Sequence, residues 1–75
     1  MIFVMKDLLL RVKNSNIKGF LTKDEILENQ DLRKICKMAI VAFCWAPSYT
    51  GCYIDEKGIT IDLENSIFEN VFIKF

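Results

Sequence analysis

The sequence predicts an α+β domain, in which three helices pack on a small C-terminal antiparallel sheet made of a β-hairpin or three strands. Three observations carry that reading. Apolar residues recur at helical spacing near the start of the chain. Between Cys52 and Leu63 they alternate instead, around a short turn. Between the two, Met38 to Ala46 (MAIVAFCWA) runs without one strongly polar side chain, as an element buried at the centre would. With 75 residues there is room for one domain, 1–75, burying only about 60% of the surface its unfolded chain exposes.

The first helix is predicted over Phe3 to Lys13, where Val4, Met5, Leu8, Leu9 and Val12 share one stripe. Phe3 and Leu10 fall on a second face that a single core does not need, which makes them candidates for contact with another chain. Asn14 to Gly19 (NSNIKG) is a loop by composition, with Gly19 available for a positive φ. Thr22 and Glu25 have the spacing of a reciprocal capping box, and Leu21 and Ile26 flank it as a hydrophobic staple would. A short helix should therefore run from there to about Asn29.

Asp31 is placed to cap the next helix, predicted to reach about Trp45, where Pro47 ends it. Its opening is two-sided, with Arg33, Lys34 and Lys37 against Leu32, Ile35 and Cys36; from Met38 onward it is apolar all round. A buried strand over Ile40 to Trp45 fits the same residues. In the hairpin, Cys52 and Ile54 should face Ile59, Ile61 and Leu63 across Asp55 to Gly58, with Gly58 as the left-handed residue of a bulged type I turn. Residues 64–75 read as a helix through Ile67, Phe68, Val71, Phe72 and Phe75, or as a strand through Val71, Ile73 and Phe75. The β-branched and aromatic content favours the strand.

Composition bounds the function. Ten basic residues balance ten acidic ones, so no field for polyanions follows from net charge. Counting Gly with the apolar residues and leaving out Tyr, 40 of 75 residues are apolar, above the roughly 45–50% usual for soluble domains, and a small core cannot absorb the surplus. An exposed apolar patch is expected, of the kind that becomes a homodimer contact or a partner site. The N-terminal run lacks a basic leader and is broken by Lys6 and Asp7, and no stretch reaches about 18 apolar residues. A cytoplasmic protein with no membrane role is the expectation.

Catalysis finds little support. There is no histidine, and Asp55, Glu56, Asp62 and Glu64 are what a turn and a polar strand face require. Cys36, Cys44 and Cys52 lack the short pairing of a zinc site and read as reduced, buried residues. The three glycines are isolated, so no phosphate loop can be written. The expectation is a non-enzyme without metal or cofactor.

Trp45, Tyr49 and Tyr53 cluster around Pro47 and Gly51, and such aromatics dominate binding hot spots. Together with Phe3 and Leu10 they are the expected partner-binding residues of a small regulator or inhibitor that docks on another protein. By analogy, compact neutral chains of this size are what phages and mobile elements direct at host machinery. The competing reading comes from element order: three helices followed by a hairpin resemble a winged-helix domain. That resemblance implies DNA binding, with Arg33, Lys34 and Lys37 entering the groove on the second helix of a helix-turn-helix pair and Lys57 at the wing tip. Zero net charge and the apolar half of that helix rank it second.

Overall fold

The computed structural model describes residues 2–41, 48–64 and 68–75, with side chains from Met5 onward. Its elements are α1 (Ile2–Asn14), β1 (Gly19–Thr22), α2 (Lys23–Glu28), α3 (Gln30–Ala39), β2 (Ser48–Ile54), β3 (Gly58–Glu64) and β4 (Asn70–Lys74). The strands form one antiparallel sheet in the order β1-β2-β3-β4. The α+β class holds, but the sheet has four strands rather than two or three. The additional strand is β1, which lies along β2 with Gly19 opposite Ile54 and Thr22 opposite Gly51. Four residues are too few to show an alternation; pairing with β2 makes them a strand. Of the two readings of the C-terminal segment the strand is found, with Ile73 opposite Ile59 and Val71 opposite Ile61.

On α1 the predicted stripe turns inward: Leu8 and Val12 are buried, and Leu9 packs against the core. The helix closes where Ser15 donates its N–H and its hydroxyl to Val12 O, at 3.1 and 2.6 Å. Gly19 then takes the positive φ, +91°. The capping box forms in full, Glu25 N–H donating to Thr22 Oγ1 at 3.3 Å and Thr22 N–H to Glu25 Oε1 at 3.0 Å.

Asn29, not Asp31, caps α3. Its Oδ1 accepts from Leu32 N–H at 3.0 Å while its own N–H donates to Ile26 O at 3.0 Å, so one residue ends α2 and starts α3. Asp31 lies inside the first turn of α3 and accepts from Arg11 Nε at 3.3 Å, an exposed tie to α1. The two-sided opening of α3 is as expected, with Leu32, Ile35 and Cys36 buried and Arg33, Lys34 and Lys37 exposed. Of its apolar continuation only Met38 to Val41 are described: Ala39 is buried, Met38 and Ile40 are half-buried, and Val41 is 70% exposed. The α-helix ends at Ala39 and a π-type turn follows at Ile40 and Val41. Residues 42–47, where the helix end at Trp45 and the strand alternative were placed, lie outside the described residues.

The hairpin pairs Cys52 with Ile61 and Ile54 with Ile59, all buried. Its turn is held by Asp55, whose Oδ1 accepts from Lys57 N–H at 2.8 Å and Gly58 N–H at 3.1 Å. Gly58 is not left-handed. It is glycine because β4 crosses so close that a Cβ would strike Ile73 O. A second departure lies in β2, where the register with β3 shifts between Tyr49 and Gly51. That bulge inserts one residue and so reverses which face the preceding side chain takes. Tyr49, which strict alternation would place with Tyr53, goes inward and is only 6% exposed.

The buried residues of α1, α2, α3, β2 and β3 form one cluster on the inner face of the sheet. The architecture has two layers, and no described element covers the other face.

Candidate functional site

The register of the sheet places Phe20 opposite Tyr53, Tyr53 opposite Thr60, and Thr60 opposite Phe72. These four form one row across all four strands on the outer face. With strands about 4.8 Å apart, the row spans roughly 14 Å. Phe20, Tyr53 and Phe72 are 60%, 50% and 51% exposed. The next outward row is polar: Thr22, Gly51, Asp62 and Asn70.

Two glycines seat the outer rings. A Cβ on Gly51 would stand 2.8 Å from the Phe20 ring, and one on Gly58 would stand 2.9 Å from that of Phe72. Both glycines are buried because these rings lie across them. The tip of each ring thus rests over a glycine while about half of the side chain meets solvent. Rigid aromatics presented this way lose little rotamer freedom when a partner covers them. Asp62, Glu64 and Lys74 are the charged strand residues of this face, so it is largely apolar and carries no positive excess.

The expected site residues divide. Tyr53 is exposed on the row, and Leu10 is 55% exposed on α1. Tyr49 is removed from the surface by the bulge; burial pushes its hydroxyl above its ordinary range, and Lys23 Nζ lies 5.9 Å from its ring centroid. Trp45 and the side chain of Phe3 lie outside the described residues. Arg33, Lys34 and Lys37 stand exposed on α3, away from the aromatic row.

Phe20 and Phe72 were missed by sequence reasoning. For Phe72 the signal was present, since a strand that turns Val71 and Ile73 inward turns Phe72 out. For Phe20 there was none without β2 beside it.

Cys36 and Cys52, from α3 and β2, are fully buried and free. The interaction of the two thiols, and then burial, pushes the Cys36 thiol far up; the same interaction lowers Cys52 against the cost of its own burial. Cys44 lies outside the described residues. Among the described residues no group of three or more acidic or cysteine side chains gathers to hold a metal ion, and no helix is long and apolar enough to cross a membrane.

No family model, curated protein or solved structure matches the chain. Its function is to be read from the geometry alone.

Proposed function

We propose that the chain is a small non-enzymatic regulator or inhibitor that docks on another protein through the outer face of its sheet. The observation that supports this is the row Phe20, Tyr53 and Phe72, half-exposed on a face that no described element covers, with two of its rings seated on glycines. Exposed apolar surface in a domain this small is costly to keep unless a partner covers it. The face favours a protein over a nucleic acid, because single-strand binders surround their stacking aromatics with a positive groove, and here Asp62 and Glu64 outnumber Lys74.

A winged-helix reading is the alternative, supported by the three exposed cations on α3 directly after the short α2. One experiment separates the two. The chain is used to capture partners from its native host, with and without nuclease, alongside a Phe20→Ala/Tyr53→Ala variant and an Arg33→Ala/Lys34→Ala/Lys37→Ala variant. A protein retained after nuclease treatment by wild type and the triple variant, but bound about 30-fold more weakly by the aromatic variant, supports docking. Retention that disappears with nuclease and with the triple variant overturns it in favour of DNA.

A further inference from the structure

We infer that a second copy of this chain pairs with β4, edge to edge and antiparallel, to make a continuous eight-stranded sheet. The inference is independent of what docks on the outer face. The sheet order leaves β1 and β4 as edges, and the two are finished differently. On β1, only four residues long, the Thr22 N–H is taken by Glu25 Oε1 at 3.0 Å before the chain turns into α2. On β4, Asn70–Lys74 contains no proline, its register with β3 is unbroken, and its side chains are β-prone apart from the two ends. Natural edges are ordinarily blunted against pairing, and this one carries only Lys74.

The hydrogen-bond pattern fixes which backbone groups are offered. Leu63 N–H donates to Glu69 O and Phe75 N–H to Lys57 O, both at 3.0 Å. Hydrogen-bonded positions recur every second residue in an antiparallel ladder, so 69, 71, 73 and 75 turn toward β3. Asn70, Phe72 and Lys74 direct their N–H and C=O outward. A symmetric partner must set outward residues against outward residues. The register that engages all three on each copy centres on Phe72, with Phe72 facing Phe72 and Asn70 facing Lys74 of the other copy. Slipping by two residues in either direction disengages part of the set. The register that faces Lys74 with Lys74 engages little else and sets like charges together.

This self-complementarity is what commits the edge to a second copy rather than a foreign strand. The ground beside β4 agrees. An apolar groove of about 670 Å³ runs between α1 and the end of β4, lined by Met5, Leu9, Leu10 and Phe75 with lysines at its rim. A hollow of about 370 Å³ continues it from Met5 along Val71, Phe72 and Ile73. A two-fold axis through Phe72 brings α1 of each copy toward the other, so that the exposed Leu10 gains an apolar neighbour.

The test is sedimentation of the full chain from about 1 to 100 μM together with amide exchange of β4. A monomer–dimer equilibrium is expected in the micromolar range, as suits a contact at the small end of specific interfaces. The amides of Asn70, Phe72 and Lys74 should gain protection as concentration rises, while those of Val71 and Ile73 are protected throughout. Lys74→Pro removes one outward donor per copy without touching the β3 ladder, and should weaken the dimer about tenfold or more. Phe20→Ala, on the far edge, should leave the dimer intact. A chain that stays monomeric at 100 μM overturns the inference. So does a dimer that Lys74→Pro does not weaken, or one in which the Asn70, Phe72 and Lys74 amides stay unprotected.

Discussion

Tyr49 and Tyr53 show how much a single residue's surroundings decide. They lie four apart in one strand, yet the bulge between them buries the first at 6% exposure and leaves the second at 50%. Tyr49→Ala should therefore lower unfolding stability by about 3 kcal/mol, the cost of removing a core aromatic, and Tyr53→Ala by less than about 1 kcal/mol. Urea denaturation of the two variants checks this, and equal losses would mean that β2 has no bulge. Cys36 is a second case. Its fully buried thiol packs as a small apolar group beside Cys52, so Cys36→Ala should cost about 1 kcal/mol. Neither thiol should react with iodoacetamide until the chain unfolds, and fast labelling of Cys36 in the native state would contradict its burial.

At the scale of elements, short helices depend on their ends. The six-residue α2 is held at its start by Thr22 and Glu25, and Thr22→Ala should cost about 1 kcal/mol. The hydrogen bond from the Thr22 backbone, then that from its side chain, lowers the Glu25 carboxyl below its ordinary 4.5. The folded state therefore favours the carboxylate. Its contribution is complete above pH 4.5 and is lost as pH falls through the folded value. Stability measured from pH 6 down to 3 should fall less steeply in Glu25→Gln than in wild type; identical profiles would place the capping box outside the acid response. In the β3–β4 pair the determinant is space. Gly58→Ala puts a methyl against Ile73 O and the Phe72 ring, so thermal unfolding should show a loss of about 1–3 kcal/mol. An unchanged melting temperature would show that β4 can retreat from β3 without cost.

For the whole molecule, placing every described helix on one side of the sheet is the arrangement with most consequence. One core of modest size is filled, and Phe20, Tyr53 and Phe72 lie together on the opposite face. Binding through such a face is governed by apolar contact. Partner retention should change little between low and physiological salt, and the triple change at Arg33, Lys34 and Lys37 should leave it intact. A log–log salt slope near −0.9 for each phosphate contact, reduced in the triple variant, would instead identify a DNA interface.

Local chemistry was legible in the sequence wherever neighbours along the chain supply the partner. The stripe of α1, the capping box at Thr22, the positive φ at Gly19, the hairpin about Asp55–Gly58 and the inward set Val71, Ile73 and Phe75 all rest on contacts or periodicities within a few residues. The terminal strand was decided by β3 lying beside it, since the same residues also satisfy a helical stripe. Only tertiary structure could make a strand of Gly19–Thr22, whose hydrogen-bond partners are about thirty residues away, or turn Tyr49 inward through a bulge that no alternation announces. The candidate site follows the same division. Composition alone implied surplus apolar surface, because a chain of 75 residues cannot bury it all. Which residues form that surface depended on the register of four strands, and register is set by pairs of residues far apart in the chain.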